Sequence, residues 1–284
     1  MRSGEDGDLE EAIPRDVFGR LAELVHERTG IVLGADKRGF VAMRLRGLPS
    51  RLGHPDVASL CREVVAQSDH PALPQIVDCL STNHTFFYRE SAHFDHFRDE
   101  ALPETTRRLR EREELDLRVW CAAASTGEEP YTLAMLLREH LGPDLPRWQA
   151  GLLATDISER ALAVAREGVY REEDVARLPE VLRKRYFRPR GGGLLEVVPE
   201  LRSDVVFRRF NLLAARYPFR KPFHVVFCRN VMIYFDAATR DAVAQRIFGC
   251  LAPGGYLYLG MAETLRGRHT PLEFVRPAVY RKAS

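Results

Sequence analysis

The stretch Leu117-Arg118-Val119-Trp120-Cys121-Ala122-Ala123-Ala124-Ser125-Thr126-Gly127-Glu128-Glu129 decides the fold. Its first five residues form a β-run, the next six are small, and the glutamates open a helix expected from Glu129 to about His140. A second β-run follows, Gly151-Leu152-Leu153-Ala154-Thr155, with another helix beginning near Ser158. Phe223-His224-Val225-Val226-Phe227, a helix over Ala237–Cys250, the turn Pro253-Gly254-Gly255 and Tyr256-Leu257-Tyr258-Leu259 repeat the alternation. Strands apolar on both faces, alternating with helices, predict an α/β fold with a doubly wound, mostly parallel sheet. Gly191-Gly192-Gly193 through Phe207 has period-two and turn signals instead, and predicts a small antiparallel β excursion over about residues 187–207.

Upstream the texture is helical. Phe18, Leu21, Ala22 and Val25 recur at helical spacing in a helix that should end near Thr29-Gly30. A second helix is expected from Asp36 as its N-cap through Leu45, interrupted or closed by Pro49 and the Gly53-His54-Pro55 turn. Two more are expected near Val57–Gln67 and Leu73–Leu80, and a longer one from about Ser91 to Arg112. The chain therefore reads as a polar, disordered tail (1–11), a small all-α domain (12–80), a linker contributing to the site (81–90) and a catalytic domain (91–284).

Composition sets bounds. With 284 residues, 45% hydrophobic and 29% charged, the chain suits one large domain or a small one joined to a medium one. No apolar run approaches the roughly 18 residues a membrane span needs, and no signal peptide precedes the first helix, so no membrane insertion is expected. Five cysteines lacking C-x-x-C spacing imply neither a disulfide framework nor a metal site, and suit a cytoplasmic location. A net charge of +2 gives no general case for nucleic acid.

In open α/β sheets ligands bind beyond the carboxyl ends of the strands. The Ala122–Gly127 loop is small enough for a ligand to approach the backbone, yet it lacks the G-x-G-x-x-G of a dinucleotide site. Glu128 and Glu129 oppose a pyrophosphate at that helix N-terminus, although they also suit the helix dipole. A ligand carrying an ammonium and a sulfonium, S-adenosylmethionine, is attracted there instead. Asp156, after the second strand, is placed to accept ribose hydroxyls or to cap the next helix. Asn211 and Leu212, and Arg229 and Asn230, follow later strands at the same sheet edge.

Three motifs then point to a family: Ser81-Thr82-Asn83-His84-Thr85-Phe86-Phe87-Tyr88-Arg89-Glu90, Val119 through Tyr131, and Phe227-Cys228-Arg229-Asn230-Val231-Met232-Ile233-Tyr234-Phe235-Asp236. The sequence resembles the bacterial chemotaxis protein methyltransferases, in order, from about residue 15 to 282. The resemblance implies S-adenosylmethionine-dependent methylation of glutamate carboxylates on chemoreceptors, with S-adenosylhomocysteine as product. It implies cofactor contacts from Asn83, Thr85, Arg89, Glu128 or Glu129, Asp156, Asn211, Leu212, Arg229 and Asn230. Arg89 and Tyr234 match residues beside the transferred methyl group. Read without the family, Tyr234 is a half-buried aromatic and Arg89 a partner of Glu90 or Glu128.

Between Arg28 and Arg51 the only acid is Asp36, against Lys37, Arg38, Arg44, Arg46 and Arg51 among the bases. Lys37, Arg44 and Arg51 share one helix face if Pro49 does not bend it; a solvated basic face is the alternative. In the family this region docks the receptor's acidic methylation helix, so the expected partner is a chemoreceptor and the chain is expected to act as a monomer. No RNA-binding motif supports nucleic acid. An NAD-dependent oxidoreductase, a non-enzymatic sensor and an RNA or small-molecule methyltransferase are the competing readings.

Overall fold

The computed structural model describes residues 12–265 and 271–283; the tail expected over 1–11 lies outside them. The chain divides into two compact units, residues 1–82 with 234–239, and 83–233 with 240–284. Among the described residues no helix is long and apolar enough to cross a membrane.

The first unit is helical. Helix α1 (Arg15–Thr29) buries Phe18, Leu21 and Val25 and ends where Gly30, at φ +75°, turns its N–H back to His26 O. One 3-10 turn (Ala35–Lys37) leads into α2 (Arg38–Leu45). Asp36 sits within that turn and makes no capping bond; its carboxylate pairs with Lys37 instead. Pro49 starts a short α3 (Leu48–Leu52) rather than closing α2, because a missing N–H costs nothing in a first turn. The last two are α4 (Val57–Ala66), capped by Asp56 accepting from Ser59 N at 2.7 Å, and α5 (Leu73–Leu80). Segment 234–239 belongs here: Val32 N donates to Tyr234 O at 3.0 Å, Ile31 and Phe235 form an antiparallel bridge, and His26 Nε2 lies 2.7 Å from Asp236 Oδ2.

The second unit opens with α6 (Ser91–His96), a π-helical turn (Phe97–Ala101) and α7 (Leu102–Glu111). The widened turn lies just before Pro103, which has no N–H to donate and whose ring would meet the carbonyl four residues back. Next come β1 (Asp116–Cys121), α8 (Glu128–Leu141), β2 (Gln149–Asp156), α9 (Glu159–Glu167) and β3 (Val169–Arg171). Then follow α10 (Glu172–Val175), α11 (Glu180–Tyr186), β4 (Phe187–Gly191), β5 (Leu194–Val197), α12 (Pro199–Ser203) and β6 (Val205–Arg209). The remainder is β7 (Phe223–Cys228), α13 (Ala237–Cys250), β8 (Leu251–Leu259), β9 (Leu272–Arg276) and β10 (Val279–Lys282).

The large sheet has the order β6-β2-β1-β7-β8-β10-β9. Strands β6 through β8 are parallel, and β10 pairs antiparallel with both neighbours. Every residue of β7 is buried, as a central parallel strand requires. The order reverses between β1 and β7, and in open sheets of this kind the carboxyl ends at such a point flank the crevice that takes a ligand.

Two boundaries differ from the sequence reading. The antiparallel excursion is β3-β5-β4, beginning at Val169 and ending at Val197, while residues 205–209 form the outer parallel strand β6. Pro253-Gly254-Gly255 lies inside β8, as an irregularity in its pairing with β7, rather than ahead of it.

Candidate active site

The small-residue loop after β1 is fixed from both sides. Ala122 N donates to Phe227 O at 2.7 Å on β7, and Ala124 N donates to Thr155 O at 2.9 Å on β2. Gly127, at φ +103°, then turns into α8, and a Cβ there would lie 2.5 Å from the Tyr170 hydroxyl. That hydroxyl donates to Thr126 O at 2.7 Å, so the turn admits only glycine.

Asp156 is the last residue of β2 and is buried. Its Oδ2 accepts from Ser125 N at 2.8 Å and its Oδ1 from Ser158 N at 2.9 Å. Ser158 is the residue that caps α9, accepting from Ala161 N at 3.1 Å. The carboxylate thus ties the loop after β1 to the start of α9.

Arg229, beyond β7, is the hub of the crevice. Its side chain is only 1% exposed, and Nη1 donates to Glu129 Oε2 at 2.5 Å. Nη2 donates to Arg89 O at 2.5 Å and Glu90 Oε2 at 3.0 Å, while the guanidinium lies 5.1 Å from the Phe94 ring centroid. Nε is buried without a hydrogen-bond partner among the described residues. Asn230, at φ +57°, donates its side-chain amide to Glu90 Oε1 at 3.1 Å. Glu263 accepts from Asn230 N, Gly260 N and Ile233 N at 2.9, 2.6 and 3.2 Å, fixing that strained turn.

Burial, opposed by the Thr126 hydroxyl, raises the Glu128 carboxyl above its ordinary range. Burial raises Glu129 as well, against the attraction of Arg229; Glu129 Oε1 also accepts from Cys121 Sγ at 3.2 Å. Burial pushes Glu90 up too, yet hydrogen bonds from Asn230 and Arg229, with the Arg229 charge, hold it below its ordinary value.

The segment 83–90 is pinned into this network. Asn83 O accepts from Ser125 Oγ at 3.0 Å, and Phe87 is buried edge-on against Tyr170 and Phe187. Arg89 Nη1 donates to His84 O at 2.8 Å, so Arg89 pairs with neither Glu90 nor Glu128, and Glu90 is taken by Arg229. Thr85 is half-buried in the same stretch. Asn211 Oδ1 accepts from Leu213 N at 2.9 Å in the turn after β6, and Leu212 O accepts from the Tyr217 hydroxyl at 2.8 Å. Tyr234 is half-buried and counts with the helical unit.

Residues 16–81 match the family model described as CheR methyltransferase, all-alpha domain, and residues 83–280 match CheR methyltransferase, SAM binding domain. The chain belongs to the CheR methyltransferase family. It is 37% identical over 270 residues to the chemotaxis protein methyltransferase of Borreliella burgdorferi, covering 95% of each chain. It is 38% identical over 263 residues to that of Escherichia coli, covering 88% of each. To a chemotaxis protein methyltransferase of Pseudomonas putida it is 36% identical, over 88% of this chain and 90% of that one. CheR enzymes take S-adenosylmethionine, and chemoreceptor glutamate methylation is the family's role.

The residues present fit that cofactor. Glu128, Glu129 and Asp156 supply carboxylates to a crevice whose helix N-terminus would otherwise invite a phosphate. A dinucleotide pyrophosphate would be repelled by two glutamates there, whereas the ammonium and sulfonium of the CheR cofactor would be attracted.

The basic residues of the helical unit do not share one helix. Lys37 lies in the 3-10 turn, 3.1 Å from Asp36, while Arg38 donates to Ile13 O at 3.2 Å. Arg44 stacks over Phe40 on α2, and Arg46 and Arg51 are exposed, the latter on α3. The single face expected for Lys37, Arg44 and Arg51 is broken at Gly47 and Pro49.

Two site residues escaped the sequence reading. Glu263 follows the last buried parallel strand and carries no local signal. Glu90 was legible only as a neighbour of Arg89, although it joins Arg229, Asn230 and Met261 N (3.1 Å).

Proposed function

We propose that this chain carries out the CheR reaction on receptor glutamates with its own residues in the following roles. Asn83, Thr85, Asp156, Asn211, Leu212 and Asn230 hold the cofactor, with Glu128 or Glu129 receiving its cationic end. Arg229 keeps Glu129, Glu90 and the Arg89 backbone in place. S-adenosylmethionine, when bound, supplies a methyl group activated by its sulfonium. The observation that carries the reading is the buried carboxylate and arginine network at the sheet's switch point, built from all three family motifs.

The acceptor needs no strong base, because a glutamate with a pKa of about 4.3 is already ionised near neutral pH. Alignment and exclusion of water are the larger effects. We assign Arg89 to orienting the acceptor carboxylate and Tyr234 to a hydrogen bond on it. Arg89→Ala and Tyr234→Phe are expected to lower kcat by about tenfold to a hundredfold, since bonds to charged groups contribute about 1.5–3 kcal/mol. Their affinity for S-adenosylhomocysteine should change far less. An unchanged kcat in either variant removes that residue's role.

Lys37, Arg38, Arg44, Arg46 and Arg51 form the docking surface for the receptor's acidic methylation helices, with the enzyme acting as a cytoplasmic monomer. Arg46→Glu with Arg51→Glu should raise KM for receptor and leave kcat near its wild-type value. Raising ionic strength should weaken receptor binding in the wild type more than in the variant, as screening of exposed charges requires. Insensitivity to both overturns the docking assignment. The overall reading is tested by transfer of labelled methyl groups to receptor membranes: base-labile label is expected, and base-stable or absent label overturns it.

A further inference from the structure

The amino ends of the strands, opposite the Ala122–Gly127 loop, hold a second feature. A cavity of about 140 Å³ opens there, with Thr105, Arg108 and Arg112 contributed by α7 and its end, Arg118 by β1 and His224 by β7. That is about ten times the roughly 10–15 Å³ one water needs on the same measure.

Two of the residues lining it carry a fully buried polar atom with no hydrogen-bond partner among the described residues, the Thr105 hydroxyl and Arg108 Nε. Thr105 is 1% exposed, and its unmet hydroxyl is a cost to the fold. Arg108 is held in place: Nη2 donates to Gly254 O at 2.7 Å, and a Cβ at Gly254 would collide with Nη1. This contact explains the glycine inside β8.

The charges around the cavity do not balance. Asp116 is shared by Arg118 and Lys221, the latter at 2.8 Å. Glu104 pairs with Arg281, accepts from the Tyr256 hydroxyl at 2.5 Å and stays 3.8 Å from Arg108 Nε. Glu114 lines the opening, where Arg112 makes no ion pair among the described residues. Among the described residues that line the cavity or pair with its lining, Arg108, Arg112, Arg118, Lys221 and Arg281 stand against Glu104, Glu114 and Asp116, an excess of two positive charges. His224 Nδ1 accepts from Arg118 N at 3.0 Å. Burial first, and then the Arg118 charge, push this imidazole down to about 4, with Arg108 and Arg112 adding to the effect.

We propose that this cavity binds a small doubly charged oxyanion of the phosphate type, free or as a compact phosphomonoester. Guanidinium groups present paired donors to such oxygens, and a dianion matches the local excess. Arg112, without an ion pair among the described residues, supplies the uncommitted guanidinium. Occupancy would tie α7 to β1 and β7, at the end of the sheet remote from methyl transfer.

The test is calorimetric titration of the full chain with inorganic phosphate and with glycerol 3-phosphate, against chloride at matched ionic strength and constant pH. Saturable binding of one anion per chain is expected, with a rise in Tm of a few degrees at saturation and a shift of the His224 ring ¹⁵N resonances. Tighter binding of the ester assigns the site to a phosphomonoester, and equal or weaker binding assigns it to the free anion. Arg112→Gln should weaken binding at least tenfold with methyl transfer intact. Heats identical to chloride, or full affinity in Arg112→Gln, would mean that the cavity holds only water.

Discussion

Arg229→Met is expected to destabilise the protein by about 3–5 kcal/mol, the range for removing one partner from a buried ion pair. The Arg229 side chain is 1% exposed and bridges two carboxylates, Glu129 and Glu90, whose own side chains are 13% and 19% exposed. Methionine fills similar volume but leaves both acids facing each other without a counter-charge. Burial already raises the Glu129 carboxyl, and Glu90 stays low partly because of Arg229, so both should rise in the variant. A carboxyl whose folded pKa exceeds its unfolded value near about 4.3 destabilises the fold at high pH, and this penalty vanishes as pH falls below that value. The deficit in urea denaturation should therefore be largest near pH 7.5 and shrink on acidification. Glu129→Gln in the Arg229→Met background should recover part of it. A deficit below about 1 kcal/mol, the ordinary effect of a point change, would mean that the hub is not a structural keystone. Among single changes, Glu129→Gln should loosen the crevice more than Glu128→Gln, whose hydrogen-bond partner is the Thr126 hydroxyl.

The sheet was legible because parallel strands buried on both faces are continuous apolar runs, and Phe223–Cys228 is such a run. Helices Leu73–Leu80 and Ala237–Cys250 were legible to the residue. The outer strand β6 was not, because an edge strand alternates buried and exposed residues, as Val205 through Arg208 do, and so mimics an antiparallel hairpin. Gly254 read as a turn because the reason for it, the Arg108 guanidinium, lies 146 residues away in sequence. The same limit hid the roles of Glu90 and Glu263, whose bonds to Met261 and Asn230 span 171 and 33 residues. Asp236 likewise reads locally as a helix start, while its carboxylate meets His26 across 210 residues. Chemistry and motif nominate candidate ligand residues; the long-range partners that hold those residues in place were not legible, because holding is a property of contact across the chain.

Asp156→Asn is expected to weaken S-adenosylhomocysteine binding about tenfold to a hundredfold, the value of one hydrogen bond to a charged group. The substitution is isosteric, but one acceptor oxygen becomes an amide donor. In the native protein both oxygens accept from backbone N–H groups, of Ser125 and Ser158, so the new donor faces a donor at one of them. Some loss of stability must follow from that alone, and it would lower affinity indirectly by releasing the Ala122–Gly127 loop. Direct contact with ribose makes a different demand. Wild type should discriminate between S-adenosylhomocysteine and its 2′-deoxy analogue, while the Asn variant should bind the two almost alike. If Asp156 only ties the loops, the variant will lose affinity for both ligands equally and keep the wild-type ratio between them. The ratio decides, because a loosened loop scales both affinities and only a lost hydroxyl contact changes their quotient.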